Sequence, residues 1–198
     1  MVYTEGVSLS LSAAKPELRA RLRALRQRLA AAAPDAAAQA AERLPIDRLP
    51  AFAVVAGYHP LGSELDPGPL LRRLAATGAL LALPAAALRE APLAFRGWEA
   101  GETLTPDAFG VPSPGPWAPT LTPDLVIAPV LGFDRRGGRL GQGGGTYDRT
   151  LANLRARRRV FVLGLAYAGQ EVDQVPSETH DQRLDAILTE QDFIEAGV

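Results

Sequence analysis

Between Lys15 and about Ala33, leucines fall at positions 18, 22, 25 and 29, spacings that stack them on one face of an α-helix. Pro16 suits the first turn of that helix, where its missing N–H would go unpaired in any case. A second stripe, Lys15, Arg19, Arg23 and Arg26, runs along the same segment. The usual fate of a basic stripe is a solvated face. The alternative is that its N-terminal end meets phosphate, which free backbone N–H groups and the helix dipole favour. A further helix is expected from Asp35 to about Leu44. The run AFAVVAGY (51–58) reads as a buried strand, LLRRLAATG (70–78) as a helix stopped by Gly78, and ALLALP (79–84) and PLAFRGW (92–98) as strands. FGVPSPGPWAPTLTP (109–123) is a proline- and glycine-rich surface connection. DLVIAPV (124–130) resumes a buried strand, YDRTLANLRARR (147–158) has helical period, VFVLGLAY (160–167) reads as a strand, and DAILTE (185–190) as a last short one.

Strands alternating with helices imply a single α/β domain, Rossmann-like, with a mainly parallel sheet flanked by helices on both faces. Residues 1–14 are expected to form a poorly ordered N-terminal extension. In open sheets of this kind ligands collect beyond the carboxyl ends of strands.

Composition then removes whole classes of function. At 198 residues and 47% hydrophobic content the chain can bury one sizeable core. A formal net charge of -1 argues against a dedicated nucleic-acid binder. The absence of cysteine excludes disulfides, thiolate metal sites and thiol nucleophiles. The opening MVYTEGVSLSLS shows no signal-peptide pattern, and no apolar run approaches the roughly 20 residues that span a bilayer. A cytoplasmic protein is expected, acting as a monomer on a small molecule, with no membrane or nucleic-acid partner. Lysine occurs once, at Lys15, and every other basic residue is arginine.

The most informative stretch is RLGQGGGTYDR, residues 139–149. It follows a buried strand and precedes a helix, where a βα loop faces a ligand. It fits neither the dinucleotide fingerprint nor the Walker loop. Gly141, Gly143, Gly144 and Gly145 can nonetheless present successive backbone N–H groups as a concave anion nest. Arg139 before them suits phosphate, and Asp148 after them is a hard oxygen ligand for Mg2+.

The longer run PVLGFDRRGGRLGQGGGTYDR resembles the signature of the 5-formyltetrahydrofolate cyclo-ligase family, also called 5,10-methenyltetrahydrofolate synthetases. KPELR near the start, YHPLGSELD, FGVPSP and THDQRLDAILTE resemble further blocks of that family in the same order. The resemblance covers nearly the whole chain. It implies a fold of the sugar-phosphate isomerase and coenzyme A transferase kind. The activity it implies is the ATP-driven, Mg2+-dependent conversion of 5-formyltetrahydrofolate into 5,10-methenyltetrahydrofolate, with release of ADP and phosphate.

Carried over by position, the resemblance gives Lys15 and Arg19 to the ATP phosphates, with Arg139, Leu140, Gly141, Gln142, Gly143, Gly144, Gly145, Thr146 and Tyr147 wrapped around them. Lys15 and Arg139 would be the catalytic cations. Asp148 and Asp181 match magnesium carboxylates, and Glu64 and His59 match folate contacts. The loop from Gln142 to Thr146 borders both ligands. The family often carries a bulky residue at Gln142 and tyrosine at Thr146, and these two departures fall on the ligand-facing part of the loop. Pro67 stands where threonine is commoner.

Four side chains near these motifs have competing readings. His180 beside Asp181 suggests a relay or a ligand, although magnesium prefers oxygen. Asp185 suits a third carboxylate or a strand cap. Trp98 and Trp117 could stack on folate or serve as core and loop anchors. Rival functions for the whole chain are an isomerase or transferase on a similar sheet, a non-catalytic sensor of nucleotide or folate, and an RNA contact on the first helix.

Overall fold

A computed structural model describes residues 11–88 and 90–197. Helix α1 (Leu11–Ala32) is followed by α2 (Ala36–Arg43), a 3-10 turn at Ile46–Arg48, β1 (Val54–Ala56), α3 (Gly68–Ala75), β2 (Leu80–Ala85) and β3 (Ala94–Gly97). The two-residue strands β4 (Thr105–Pro106), β5 (Pro112–Ser113) and β6 (Thr120–Leu121) punctuate the connection to β7 (Leu125–Pro129). The hairpin of β8 (Gly132–Phe133) and β9 (Arg139–Leu140) leads into α4 (Thr146–Arg155). After α4 come β10 (Phe161–Leu165), a 3-10 turn at Ala168–Gln170, β11 (Ala186–Leu188) and β12 (Phe193–Glu195).

Among the described residues the main sheet has eight strands in the order β12-β11-β10-β7-β1-β2-β3-β6. The inner five, from β11 to β2, are parallel, and β12, β3 and β6 are antiparallel additions at the two edges. The mainly parallel sheet expected from the sequence is therefore present, extended by antiparallel edge strands. From β1 the chain crosses through α3 to β2 on one side, and from β7 it crosses through α4 to β10 on the other. The order reverses between β1 and β7, which makes their carboxyl ends the crevice where such sheets hold ligands.

Alternation along each strand builds two cores. On β7, Leu125 and Ile127 face a cluster completed by Ala40 and Leu44 from the α2 segment and Leu70, Leu71 and Leu74 from α3. Val126 and Ala128 face the other, completed by Leu151 of α4. Bare backbone is needed where β1 meets α3, because a Cβ on Gly57 would lie 2.6 Å from Leu71. The leucine face of α1 is real but divides, Leu29 packing against the first core while the other three pack beside the sheet. Leu22, with Leu18 and Leu25 beside it, covers Leu131, Leu140 and Val175 around the β8–β9 hairpin.

The structure changes two details of the N-terminal reading. Helix α1 begins at Leu11, so Pro16 lies inside it rather than in its first turn, at the loss of the bond its missing N–H would make. Of the extension expected over 1–14, residues 1–10 lie outside the described residues and 11–14 have helical backbone.

Two buried polar groups brace the backbone that leads into the β8–β9 hairpin and the hairpin itself. Gln170, fully buried, donates through Nε2 to the carbonyls of Val130 and Leu131 at 2.8 Å each, and its Oε1 accepts the Tyr167 N–H at 2.8 Å. Asp134, within the Gly-Phe-Asp of the signature, accepts N–H groups from Arg136, Gly138 and Val175 at 2.8 to 3.0 Å. Its role is to shape the hairpin that delivers the glycine turn.

Candidate active site

A cavity of about 500 Å3 lies at the β1/β7 crevice, and every site residue expected from the sequence lines it. Four separate stretches of chain carrying those residues meet there. α1 contributes Lys15 and Arg19, the segment after β1 contributes His59 and Glu64, and residues 139–148 and 178–181 enclose the rest.

The basic stripe of α1 faces this site, contrary to its commoner solvated fate. The leucine face seats α1 on the β8–β9 hairpin, which turns the adjacent stripe toward the glycine turn. Lys15 Nζ bonds Asp181 Oδ2 at 2.7 Å and Glu178 Oε2 at 3.1 Å. Arg19 Nε donates to the Gly141 carbonyl at 3.0 Å. Arg23 reaches Gln142 through its side-chain Oε1 at 2.9 Å and its carbonyl at 3.3 Å. Arg26 donates to Ser63 Oγ at 3.1 Å and pairs with Glu64 at 3.5 Å. The four cations of the stripe thus fasten three wall segments, with Arg19 and Arg23 sharing the glycine turn.

The glycine turn has the polarity the sequence suggested. Its carbonyls at Gly141, Gln142 and Gly144 are taken by Arg19, Arg23 and Arg149. Among the described residues no protein acceptor faces the N–H groups of Gln142 to Gly145. Gly143 and Gly145 have φ of 105° and 64°, in the region that disfavours a side chain. Gly145 is the N-cap of α4, so the helix's own unpaired N–H groups continue the nest.

Arg139 and Asp148, assigned separately to phosphate and metal, bond each other at 2.7 Å. The Arg139 side chain is 4% exposed, lies 5.7 Å from the Tyr147 ring centre, and keeps a buried Nε without a protein partner. Asp148 Oδ1 also accepts the Gln182 N–H at 3.1 Å, which leaves Oδ2 as its available oxygen. The Tyr147 hydroxyl is likewise buried and unpartnered. Burial pushes its phenol well above the usual range, the nearby Glu64 carboxylate adds to this, and Arg139 opposes it. Burial and Glu64 act in the same sense on Tyr58, whose hydroxyl donates to the Leu65 carbonyl. Both phenols are therefore neutral donors at physiological pH. Glu64 is itself tied down, with Oε2 accepting the Leu61 N–H at 3.0 Å.

Burial lowers the Lys15 pKa, but the bonds to Asp181 and Glu178 outweigh it and leave the ammonium above its ordinary value. Burial raises Asp181, and Lys15 with the Glu178 N–H outweighs that and holds it below its ordinary value. Lys15 and Asp181 therefore stay charged across the physiological range.

Glu178 carries no motif of its own in the sequence. It sits in the same turn as Asp181, whose Oδ2 accepts its N–H at 2.8 Å, and an acid three residues before an Asp was the available signal. His180 is exposed, with Nε2 3.4 Å from Glu178. Asp185 takes the strand-cap alternative, since it accepts the Val162 N–H at 2.8 Å and pairs with Arg155. Neither tryptophan lines the cavity. Trp98 packs against the α2–α3 core, and Trp117 is exposed over Gly115.

The donors offered by Asp181, Glu178 and Asp148 are oxygens, which suit a hard cation such as Mg2+, and Lys15 already seats a positive charge among two of them. Among the described residues no helix is long and apolar enough to cross a membrane.

Residues 11–190 match the model of the 5-formyltetrahydrofolate cyclo-ligase family. The chain is 36% identical over 143 residues to a 5-formyltetrahydrofolate cyclo-ligase of Mycolicibacterium smegmatis, covering 68% of this chain and 72% of that one. It is 31% identical over 140 residues to the protein of that name from Escherichia coli, covering 68% and 76%. Among solved structures it is similar to a 5,10-methenyltetrahydrofolate synthetase of Aquifex aeolicus, with a TM-score of 0.69, 25% identity and 92% of each chain covered. One from Mycoplasma pneumoniae, at 22% identity and a TM-score of 0.69 over 89% and 98%, shares the fold.

Proposed function

The chain belongs to the 5-formyltetrahydrofolate cyclo-ligase family, and from that premise we propose that it closes 5-formyltetrahydrofolate to 5,10-methenyltetrahydrofolate at the β1/β7 cavity, at the expense of ATP. The observation that carries this reading is the convergence of Lys15, Arg19, the glycine turn and the carboxylates of Asp148 and Asp181 on one cavity.

An N-formyl group is a poor electrophile, and its oxygen must leave during ring closure. Attack of that oxygen on the terminal phosphorus of ATP releases ADP and converts the oxygen into part of a phosphate leaving group. The neighbouring folate nitrogen then attacks the formyl carbon, loses its proton, and the carbon–oxygen bond breaks to release phosphate. Such a transfer asks for alignment and positive charge around the moving phosphoryl group, with little covalent work from the protein. Lys15 and Arg19, with the N–H groups of residues 142–145, supply that charge. Arg139 is held by Asp148 and stacks near Tyr147, so it shapes the same end of the cavity.

Mg2+ would be held by Asp148 Oδ2 and Asp181, with Glu178 beside them, and would supply neutralisation of phosphate charge. The folate rings fit the apolar side of the cavity, where Tyr58, Leu61, Leu93 and Phe109 stand, with His59 and the fixed Glu64 carboxylate as polar contacts.

The test is a spectrophotometric assay for the methenyl product, with ATP and Mg2+ each left out in turn. Product is expected only when both are present. ADP release that does not depend on formylated folate would overturn the reading.

A further inference from the structure

The apolar part of the cavity wall depends on a side chain that no motif pointed to. Strands β4 and β5 pair Thr105 with Ser113 and Pro106 with Pro112. Neither proline has an N–H to donate, so the Pro106–Pro112 pair adds no bond beside the turn it carries. That turn, residues 107–111, is held by Asp107 instead. Asp107 Oδ1 accepts the N–H groups of Phe109 at 2.8 Å and Val111 at 3.0 Å. Its Oδ2 accepts the N–H of Ala86 at 3.0 Å, just past the end of β2. The Asp107 N–H donates to the Val111 carbonyl at 2.9 Å, and the Ala108 N–H to the Ala86 carbonyl at 3.2 Å. One carboxylate therefore closes the turn and also fastens it to the sheet. Phe109 and Val111 from the turn, Pro84 of β2 and Ala86 just past it all line the cavity, as does Asp107 itself.

We propose that Asp107 is a positioning residue for the folate, acting through Phe109 and Val111 to set the width of the slot that takes the flat rings. This rests on the reading of the cavity as a folate site. The glycine turn and the α1 cations reach none of these bonds, so the nucleotide end is built independently of Asp107. Loss of the carboxylate therefore weakens one substrate and spares the other. A merely structural residue would weaken both, or neither.

The experiment compares Asp107→Ala and Asp107→Asn with the wild type. Removing a carboxylate that satisfies three N–H groups is expected to raise KM for 5-formyltetrahydrofolate about tenfold in the alanine variant, with KM for ATP changed less than about twofold. Asp107→Asn keeps an oxygen for Phe109 and Val111 but sets an NH2 against the Ala86 N–H, so it should fall between the two. Calorimetric affinity for 5-formyltetrahydrofolate without nucleotide is expected to follow the same order. Circular dichroism checks that each variant is folded, and the asparagine variant carries the test if alanine is not tolerated. Both KM values rising together, or folate affinity unchanged in folded variants, would overturn the inference. A wild-type protein that binds formylated folate yet makes no methenyl product would fail the cyclo-ligase reading alone, and calorimetry would still decide the role of Asp107.

Discussion

Lys15 concentrates the chemistry into one side chain. It is the sole lysine of the sequence, its side chain is 9% exposed, and it touches both acids of the 178–181 turn. A compact ammonium suits that position better than a planar guanidinium, because it can face two carboxylates and a phosphate without a fixed fork geometry. Lys15→Ala removes the cation and leaves Asp181 and Glu178 facing the nucleotide end with their charge uncompensated. Loss of one preorganised donor of this kind typically costs on the order of a hundredfold to a thousandfold in turnover, and that is the drop expected here. Circular dichroism should show an unchanged fold, since α1 is seated by its leucines and by Arg19, Arg23 and Arg26. Lys15→Arg should retain part of the activity. Turnover of the alanine variant within about threefold of wild type would take Lys15 out of the mechanism, because no preorganised charge is that weak.

Among the elements, the inner strands must end in register for the crevice to exist, and Asp124 sets that register. Its Oδ2 accepts the N–H groups of Ala53 and Val54 at 2.9 and 3.0 Å, and Oδ1 meets Arg158. One carboxylate at the start of β7 thereby fixes the start of β1 and holds the chain beyond α4. Burial raises its pKa, and the two N–H bonds with Arg158 outweigh that, so the folded value lies below the ordinary 3.8. A depressed carboxylate contributes stability above its unfolded pKa and loses it as pH falls through the folded value. Asp124→Ala should lower stability by about 1 to 3 kcal/mol at neutral pH. For a chain of this size that corresponds to a Tm lower by roughly 2 to 4 °C per kcal/mol. The difference from wild type should begin to shrink as pH falls through 3.8 and be lost as it passes the lower folded value, where the native carboxylate is itself protonated. Melting curves across acid pH check this, and a gap that stays constant down to the lowest pH would show that the charge is irrelevant.

The elements that were legible in the sequence are those with enough residues to show a period. The leucine repeat of α1, the runs around β2, β7 and β10, and the glycine turn before α4 all stand where the pattern put them. The expected strand over 51–58 shrinks to Val54–Ala56, because only the stretch between β2 and β7 finds ladder partners. Strands β4, β5, β6, β8 and β9 have two residues each and β12 has three, too short for any alternation to register. Their existence depends on pairing across the fold. Lys15, Asp148 and the glycines carry a chemical signature in sequence and Asp181 came through the family resemblance, and the fold brings all of them to one cavity. Asp107, Gln170 and Glu178 were not legible, because what each one does depends on which distant N–H group or charge the fold brings to it.

At the scale of the whole molecule, the polar groups of the site come from four stretches, 15–19, 59–64, 139–148 and 178–181, with an apolar wall from 84–111, and these meet only in the folded chain. The unfolded chain cannot assemble that constellation, so a ligand that binds there binds the native state alone and must stabilise it by mass action. At a nucleotide concentration of 100 times Kd the gain is about 2.7 kcal/mol, which at this chain length raises Tm by roughly 5 to 10 °C. The shift should depend on the metal, since oxygens from two of the four stretches would hold it against the phosphates. ATP without Mg2+ is therefore expected to give a smaller shift than ATP with it. Lys15→Ala should reduce the shift with both present, and 5-formyltetrahydrofolate alone should still raise Tm in that variant, because its end of the cavity is built by other residues. Scanning fluorimetry of wild type and variant under these four conditions reads the two ends of the cavity separately. A wild-type Tm that does not move with millimolar ATP and Mg2+ would mean that the glycine turn and the α1 cations do not form a nucleotide site.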